Sequence, residues 1–456
     1  MELTYSQLYK HSSYQCKISP DCKYVANTTE TRLVIRDHSQ DMVVMHVYET
    51  NYTIDIMSWS PDAQYILTMN REHAIVNIWS INDTNWKTTL SDKRFGMEHI
   101  WWSPDSSSVL ITTELKLKLN IWMFKQNKIK CIKRPKFINK GCISSPDGKY
   151  MAIVETIDAT DYIDILDGKS FALLQQFPVD TTDLAHVQWS PDSQFLAIYD
   201  NCLYYKFLVY RFDGYLEFSY SAYEHGLGIK SIDWLGSLLS IGSYDGKVQL
   251  INTVNWKRIY TLTHSNNIKP YKNDALIIYE EYDLPNMNKR TLETKVGYRI
   301  IHRRPIQLPV LRPEYNKHDP NIGVSQCLFS LDGSFLFTRV DTMPNTLWIW
   351  DINQLECCYI VSQKHPIRQV IWNPKYAHVL AMICGDENLY ILKQDETLIS
   401  DQQPSSMKTS KKLKIIPFAV PTSKFSVKQI EWSLDGKTLL LLDHQLYCLA
   451  SLYLIH

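Results

Sequence analysis

The chain has 456 residues, of which 45% are hydrophobic and 12% aromatic, and its 48 basic side chains match its 48 acidic ones in number. This apolar fraction is typical of a globular protein, and a net charge of zero argues against a protein whose whole surface binds nucleic acid or a membrane. The 10 cysteines show no C-x-x-C or Cys/His spacing, which excludes a zinc module and predicts reduced thiols.

The two ends of the sequence favour a location in the cytoplasm. The first residues, MELTYSQLYKHSS, lack the basic start and apolar core of a secretory signal. The apolar segment from Thr438 to Ile455 is interrupted by Asp443, His444 and Gln445, so neither part is long enough to span a bilayer. We expect no membrane anchorage and interpret this segment as a final β-hairpin.

A four-letter motif, WSPD, begins at Trp59, Trp102 and Trp189. Weaker copies become visible when the chain is aligned on the residue after the tryptophan, and most neighbouring copies are roughly 40 to 45 residues apart, as in propellers and solenoids. The nine aligned copies are Ser19-Pro20-Asp21, Ser60, Ser103, Ser145-Pro146-Asp147-Gly148, Ser190, Leu235-Gly236, Ser330-Leu331-Asp332-Gly333, Asn373-Pro374 and Ser433-Leu434-Asp435-Gly436.

Each copy is followed by a second apolar signature, such as VNIWS from Val76 or LWIWD from Leu347. The Ser-Pro-Asp letters predict a turn, because proline fixes φ and aspartate or serine bonds the nearby backbone. Asp245-Gly246 between two apolar runs predicts a further hairpin turn. Four strands per repeat predict an all-β, WD40-type β-propeller of about nine blades.

The segment from Leu3 to Lys10 precedes the first repeat and is predicted to be a strand. The last repeat ends soon after its third strand, so we expect this N-terminal strand to supply the outer strand of the last blade and to close one large ring. Nine blades exceed the usual four to eight, and two smaller propellers are the alternative.

The spacing of the repeats breaks twice, between Leu235 and Ser330 and between Asn373 and Ser433. The first insertion, residues 266–320, is rich in proline and basic residues, and ALIIYEE and GYRIIHR within it each resemble one strand of a long hairpin that projects from the ring. A degenerate extra blade is the alternative. The second insertion, residues 395–426, is predicted to be a lysine-rich mobile loop.

Sequence signals of catalysis are missing. Neither G-x-G-x-x-G nor a P-loop, G-x-S-x-G or H-E-x-x-H motif occurs, and the 14 histidines are dispersed. The repeated aspartates belong to turns, because a residue that recurs in blade after blade serves folding. We therefore predict that the protein is not an enzyme and has no catalytic residue, cofactor or metal site.

The segment FKQNKIKCIKRPKFINK from Phe124 carries seven lysine or arginine residues between Lys125 and Lys140. An acidic partner or a nucleic acid is one interpretation of this basic run. We favour a solvated outer edge around the connection between the third and fourth strands of one blade, where lysine discourages edge pairing.

Longer stretches resemble a eukaryotic WD-repeat family known as WD-repeat protein eight, called WRAP73 in vertebrates. The resemblance runs in order along essentially the whole chain. The matching stretches are CKISPDCKYVA near the start, DLAHVQWSPDSQFLAIYDNCLYYKFLVYRFDG from Asp183, SAYEHGLGIKSIDW from Ser221, IGSYDGKVQLIN from Ile241, NWKRI from Asn255, DPNIG from Asp319 and TRVDTMPNTLWIWDINQL from Thr338.

This resemblance implies a scaffold of the centrosome, centriolar satellites and spindle pole. Such a scaffold would help to anchor microtubule minus ends and to assemble the spindle or cilium, together with a coiled-coil anchoring protein and a minus-end-directed kinesin. An RNA- or translation-associated propeller scaffold is the alternative, since large propellers of translation initiation factors carry similar turns and basic extensions.

The segment from Ser221 to Gly228 has no counterpart in the other repeats. Repeated residues are explained by folding, so a non-repeating connection between blades is the better candidate for binding. We therefore expect Tyr223, Glu224 and Lys230 to belong to a partner-facing patch. An unusual packing turn between blades is the alternative.

Overall fold

A computed structural model describes residues 2–39, 41–114, 118–133, 135–137, 142–269, 276–284, 296–313, 320–395, 412–422 and 425–453. Every regular element among these residues is a β-strand, which confirms the all-β prediction. The chain divides into two compact units, one formed by Leu8–Ile229 and the other by Met1–Gln7 with Lys230–His456.

Two short strands precede the first repeat: β1 (Glu2–Tyr5) and β2 (Tyr9–Lys10). The unit Leu8–Ile229 then contains five four-stranded antiparallel sheets. They are sheet 1, β3 (Cys16–Ile18), β4 (Tyr24–Thr29), β5 (Arg32–Asp37) and β6 (Val43–Glu49); sheet 2, β7 (Ile56–Trp59), β8 (Tyr65–Asn70), β9 (Ile75–Ser80) and β10 (Lys87–Ser91); sheet 3, β11 (His99–Trp102), β12 (Val109–Thr112), β13 (Lys118–Met123) and β14 (Lys128–Lys133); sheet 4, β15 (Cys142–Ser144), β16 (Tyr150–Ile157), β17 (Thr160–Asp167) and β18 (Leu173–Pro178); and sheet 5, β19 (Leu184–Trp189), β20 (Phe195–Asp200), β21 (Phe207–Arg211) and β22 (Leu216–Tyr220).

The second unit contains four further sheets built on the same meander. Its strands are sheet 6, β23 (Ile229–Leu235), β24 (Leu238–Ser243), β25 (Lys247–Asn252) and β26 (Lys257–Thr263); the inserted strands β27 (Asn267–Ile268), β28 (Ile277–Asp283), β29 (Val296–Ile300) and β30 (Ile306–Gln307); sheet 7, β31 (Val324–Phe329), β32 (Phe335–Val340), β33 (Thr346–Asp351) and β34 (Glu356–Ser362); sheet 8, β35 (Gln369–Trp372), β36 (Val379–Ile383), β37 (Asn388–Asp395) and β38 (Lys412–Ala419); and sheet 9, β39 (Gln429–Trp432), β40 (Thr438–Leu442) and β41 (Leu446–Tyr453).

These nine sheets are the nine predicted repeats, and consecutive four-stranded meanders are typical of propeller blades. The core lies between neighbouring sheets of a unit. Between sheets 1 and 2, for example, Ile35 and Ile66 are fully buried in one cluster with Trp59. The closure of all nine blades into one ring stays a prediction from the sequence.

The Ser-Pro-Asp letters form the turn between the first two strands of a sheet. In sheet 2 the Ser60 hydroxyl donates to Asp62 Oδ1 at 2.5 Å and accepts a hydrogen bond from the Tyr65 N–H at 2.9 Å. Seven of the nine sheets in the described chain carry the same serine–aspartate bond. Because Ser60 is fully buried, its hydroxyl needs both partners.

The residue after the aspartate takes a left-handed backbone conformation. Ala63 has a φ of 57°, while Gly148 and Gly333 have φ values of 69° and 71°. Glycine reaches this region without steric cost, which explains why several copies of the motif continue as Asp-Gly.

The tryptophan before the turn connects one sheet to the sheet before it. Trp59 Nε1 donates to the Lys17 carbonyl of sheet 1 at 3.2 Å, and Trp102 Nε1 donates to the Ser58 carbonyl of sheet 2 at 3.2 Å. In the second unit Trp372 Nε1 donates to the Leu328 carbonyl of sheet 7 at 3.0 Å. The WSPD motif therefore sets both the turn within a sheet and the contact between sheets.

The first insertion contributes to sheet 7. Strands β28 and β29 pair as an antiparallel hairpin, and β28 also pairs in parallel with β34, so the sheet has six strands. Strands β27 and β30 form a separate two-stranded pair. Residues 270–275, 285–295 and 314–319 of the predicted range 266–320 lie outside the described residues.

The second insertion differs from the predicted loop over residues 395–426. Strand β38 lies within that range and pairs with β37 from Asn388↔Ala419 to Asp395↔Lys412, as the outer strand of sheet 8. Leu413 and Ile415 share one face of β38, where they join the apolar cluster of sheets 7 and 8, and Leu413 is buried. Residues 396–411 lie outside the described residues.

The N-terminal strand completes the C-terminal sheet, as the sequence predicts. Strand β1 pairs with β41 from Glu2↔Tyr453 to Tyr5↔Ala450, which gives sheet 9 the order β1-β41-β40-β39. The pairing continues at Ser6, whose N–H donates to the Leu449 carbonyl at 2.9 Å. A segment from one end of the chain thus covers the edge of a sheet built from the other end.

We predict that Leu3→Asp destabilises the protein, because Leu3 is half-buried opposite the buried Leu452. The expected loss in the free energy of unfolding is about 1–3 kcal/mol, since a carboxylate would be desolvated there. Thr4, which is exposed opposite Ser451, supplies the control, and Thr4→Asp should change the value by less than about 0.5 kcal/mol. Urea unfolding followed by tryptophan fluorescence measures both variants, and equal losses would contradict this role of β1.

Candidate functional site

The two ends of each sheet carry different turns and connections. In an antiparallel meander the first and third turns lie at one end, while the second turn and the connection to the next sheet lie at the other. The Ser-Pro-Asp turns occupy the first end. At the second end of sheet 5, residues 201–206 join β20 to β21 and residues 221–228 leave β22. We call these two segments the sheet 5 rim.

Backbone contacts hold the two segments of the sheet 5 rim together. The Gly228 N–H donates to the Cys202 carbonyl at 2.7 Å. A Cβ atom on Gly228 would lie 2.2 Å from the backbone oxygen of Tyr204, so only glycine allows this approach. The connection therefore rests directly on the turn between β20 and β21.

Tyr223 fixes the shape of the connection. Its ring packs edge-on against Tyr205 with centroids 4.8 Å apart, and its hydroxyl donates to the Leu227 carbonyl. The Ser221 hydroxyl donates to the Tyr223 carbonyl at 2.9 Å. Tyr223 is half-buried by these contacts, whereas Glu224 next to it is exposed.

A buried carboxylate anchors the other segment of the rim. Asp200 is fully buried and accepts hydrogen bonds from the backbone N–H groups of Thr182 at 2.7 Å and Asp183 at 2.8 Å. The following Asn201 side chain accepts a hydrogen bond from the Leu203 N–H at 2.9 Å. These bonds order the backbone that presents the next two side chains.

Leu203 and Tyr204 are the exposed apolar residues of the rim, with 63% and 46% of their surface accessible. They share the sheet 5 rim with the exposed Glu224, and hydrogen bonds hold the backbone of both segments. Apolar anchors on an ordered backbone with a polar surround are typical of protein-binding surfaces. Neither residue is among the predicted site residues. Apolar residues in the turn between β20 and β21 were a signal, because the corresponding turn of sheet 6 contains Asp245-Gly246.

Lys230, the third predicted patch residue, has intrachain partners. Its ammonium lies 2.7 Å from Asp341 Oδ2 and 3.3 Å from the carbonyl oxygens of Pro320 and Ile322, and it sits 4.7 Å from the centre of the Tyr244 ring. Only 12% of its side chain is exposed. Lys230 therefore connects β23 to the end of the first insertion at Pro320 and to Ile322 and Asp341 beyond it.

The basic run from Lys125 to Lys140 is partly used within the fold. Lys136 bridges Asp161 at 2.6 Å and Asp183 at 2.7 Å with 14% of its side chain exposed, and the Lys130 ammonium donates to the Phe171 carbonyl. Strand β14 forms the outer edge of sheet 3, in agreement with the edge interpretation. Residues 134 and 138–140 of the run lie outside the described residues.

One buried hydrogen-bond network contains a hydroxyl and an imidazole, the residue types of a nucleophile and a base. Trp350 Nε1 donates to Thr338 Oγ1 at 2.9 Å, and Thr338 Oγ1 lies 2.7 Å from His264 Nε2. His264 Nδ1 lies 2.7 Å from the Gly246 carbonyl, so Nδ1 carries the proton and Nε2 accepts from the threonine. This network links sheets 6 and 7. Because Thr338 is fully buried, its hydroxyl is not accessible to a substrate.

Burial favours the neutral forms of His264 and Cys327. Burial lowers the pKa of His264 to about 4, against the hydrogen bond to Gly246, and burial raises the pKa of Cys327 to about 11. All ten cysteines are free thiols. The described part of the chain holds no cluster of three or more histidine, cysteine or acidic side chains suited to a metal ion. Nor do its described residues include a helix long and apolar enough to cross a membrane.

We predict that Lys230→Met lowers the free energy of unfolding by about 1–3 kcal/mol, because Asp341, 22% exposed, loses its charged partner. Lys257, an exposed lysine of β26, supplies the control, and Lys257→Met should change stability by less than about 0.5 kcal/mol. Thermal and urea unfolding provide the measurement. A Lys230→Met protein as stable as the Lys257→Met protein would show that the ion pair does not support the fold.

Comparisons with known proteins agree with this architecture. The chain is 33% identical over 465 residues to the mouse WD repeat-containing protein WRAP73, a match that covers 99% of this chain and 96% of the mouse protein. It is 25% identical over 238 residues to an uncharacterized WD repeat-containing protein of Schizosaccharomyces pombe, across 50% of this chain and 46% of that protein.

Among solved structures, the C-terminal WD40 domain of Sif2 matches the fold with a TM-score of 0.50 and 9% identity, over 98% of each chain. No protein-family model matches the sequence. The structural similarity to the Sif2 domain shows the WD40 fold, and the full-length sequence similarity to the mouse protein shows the family. The chain belongs to the WRAP73 family of WD repeat-containing proteins.

Proposed function

We propose that the protein is a non-enzymatic interaction scaffold at the centrosome or spindle pole. There it helps to anchor microtubule minus ends and to assemble the spindle or cilium. The observation that carries this proposal is membership of the WRAP73 family along 99% of the chain, because the family resemblance implies this role. The same resemblance supports a cytoplasmic location on the cytoskeleton, at the microtubule-organising centre.

The chemistry of the described residues favours a scaffold. The His264 and Thr338 pair is enclosed, and the Lys136 ammonium is engaged by carboxylates of its own unit. Polar groups that are satisfied inside the fold support packing rather than turnover. WD40 propellers generally bind protein partners, and the sheet 5 rim offers an ordered apolar surface for that purpose.

The partner that the resemblance implies is a coiled-coil anchoring protein, with a minus-end-directed kinesin as a second component. Leu203 and Tyr204 would pack on apolar positions of the partner helix, and the exposed Glu224 would meet a basic side chain at its flank. Tyr223 shapes the surface through its contact with Tyr205.

Lys230 stays a predicted partner contact within this proposal. An acidic group of the partner would have to compete with Asp341, which lies 2.7 Å from the Lys230 ammonium. We therefore expect the rim residues to contribute more binding energy than Lys230.

The first test determines the location and the binding partners of the protein in dividing cells. We expect the tagged full-length chain to overlap with a γ-tubulin marker and to recover coiled-coil pole proteins in a pull-down identified by mass spectrometry. Recovery of ribosomal proteins or initiation factors, with a diffuse cytoplasmic signal, would refute the centrosomal role. It would favour the translation-associated alternative, whose RNA binding should weaken steeply as salt rises.

The second test addresses the rim itself. We expect the double variant Leu203→Ser with Tyr204→Ser, and separately Tyr223→Ala with Glu224→Ala, to lose the coiled-coil partner in the pull-down by roughly tenfold or more. Leu173 and Leu174, exposed by 55% and 51% on β18, provide a matched control in which Leu173→Ser with Leu174→Ser keeps the partner. Unfolding midpoints confirm that each variant folds. Folded rim variants that recover every wild-type partner would rule out this surface.

A further inference from the structure

A cavity of about 360 Å³ lies at the second end of sheets 2 and 3, within the unit Leu8–Ile229. Three segments line it: the turn Arg71–Ala74 between β8 and β9, the connection Lys93–Gly96 between β10 and β11, and Glu114 after β12. These are the same two kinds of connection that build the sheet 5 rim. The volume falls in the range of pockets that bind small groups.

Contacts behind the lining hold the cavity walls in place. The His73 ring stacks on Tyr52 with centroids 3.8 Å apart, and its Nδ1 lies 3.0 Å from Asn70 Oδ1. On the opposite wall, the Lys118 ammonium lies 3.7 Å from the centre of the Phe95 ring. The Glu114 N–H donates to the Phe95 carbonyl at 3.1 Å, which joins sheet 3 to the connection.

The lining carries more positive than negative charge. Its cations are Arg71, Lys93 and Arg94, joined by Lys118 at Phe95, and its acids are Glu72 and Glu114. The three cations and two acids of the lining leave an excess of one positive charge, and Lys118 beside the cavity adds a second. Within the described residues, none of the three lining cations forms an ion pair.

A neighbouring histidine responds to this positive field. Burial lowers the pKa of His99 at the start of β11, the charge of Arg71 lowers it further, and Lys17 adds to the effect while Glu98 opposes it. The cationic contributions thus act beyond the cavity lining itself. Unpaired cations around a concave surface are a site for an anion.

The excess of two charges matches a phosphoryl group better than a carboxylate. A phosphorylated side chain carries close to two negative charges and three acceptor oxygens, and arginine guanidinium groups bind such oxygens through paired N–H donors. The acids Glu72 and Glu114 would repel the additional charges of a nucleoside triphosphate or a polyphosphoinositide. Their oxygens would instead accept hydrogen bonds from main-chain N–H groups beside a phosphorylated residue.

We infer that this cavity binds a phosphorylated serine or threonine of a protein partner. Arg71, Lys93 and Arg94 hold the phosphoryl oxygens, and the flanking peptide lies next to Glu72 and Glu114, which belong to different segments of the lining. This inference does not depend on the proposed centrosomal role, because the site is defined by its charge and shape. Recruitment through it would depend on phosphorylation of the partner.

The test uses the purified full-length chain and a degenerate pool of fluorescent decapeptides with a central phosphoserine, compared with the unphosphorylated pool. We expect binding of the phosphorylated pool to exceed that of the other by roughly tenfold, and to weaken as ionic strength rises. Lys93→Glu with Arg94→Glu should abolish this preference, and Arg71→Gln should reduce it. The exposed pair Lys257 and Arg258 of β26 is the control, since Lys257→Glu with Arg258→Glu makes the same charge change elsewhere.

Any of three outcomes would overturn the inference. The first is retention of the phosphoserine preference by the folded Lys93→Glu, Arg94→Glu protein, and the second is an equal loss of that preference in the control. The third is selective binding of inorganic phosphate or phosphoinositide vesicles by the wild-type chain without binding of the phosphorylated pool. The single Arg71→Gln variant keeps the test decisive if the double variant does not fold.

Discussion

The hydrogen bond from a buried serine hydroxyl to the aspartate two residues later is the interaction on which seven of the nine described sheets depend. It holds the reversal between the first two strands, and the same hydroxyl receives the N–H of the residue that opens the second strand, as at Ser60 and Tyr65. Burial alone would raise the pKa of Asp105, yet hydrogen bonds from Ser103 and Ser107 outweigh burial and hold that pKa below its ordinary value. The carboxylate therefore stays charged and the bonds stay strong.

This constraint divides each sheet into an end used for folding and an end left open to variation. The tryptophan before the turn is committed to a carbonyl of the preceding sheet, so its position cannot change without loss of that contact. The opposite end carries no repeated motif. Both the sheet 5 rim and the cavity formed by Arg71, Lys93 and Glu114 lie there, which follows from the freedom of those connections.

Two buried polar side chains of β28, Glu281 and Tyr279, are paired in ways that add specificity to the packing. Glu281 is almost fully buried and accepts hydrogen bonds from the Lys364 N–H at 2.9 Å and the Tyr390 hydroxyl at 2.8 Å. These bonds join the inserted strand β28 to sheets 7 and 8. The insertion is thus integrated by polar contacts of its own, and Tyr279 adds a further one to the Leu413 carbonyl at 2.7 Å.

The sequence by itself determined the repeat, because the serine–aspartate turn is local and needs only neighbouring residues to form. The all-β class and the nine sheets were predictable for this reason, and the missing fourth strand of the last repeat predicted its pairing with the N-terminal strand. The sequence also singled out the connection between sheets 5 and 6 that carries Tyr223, because that segment does not repeat. Tertiary structure decided the rest, since the parallel pairing of β28 with β34 and the addition of β38 to sheet 8 join residues across long or irregular connections.

The same distinction holds for the candidate sites. Only the folded chain shows that Lys230 pairs with Asp341, that Leu203 and Tyr204 are exposed on the sheet 5 rim, and that Arg71 and Arg94 line one cavity. Local patterns specify turns and strands through bonds between near neighbours. Exposure and charge balance depend on which distant side chains pack together, and no spacing of letters along the chain records that.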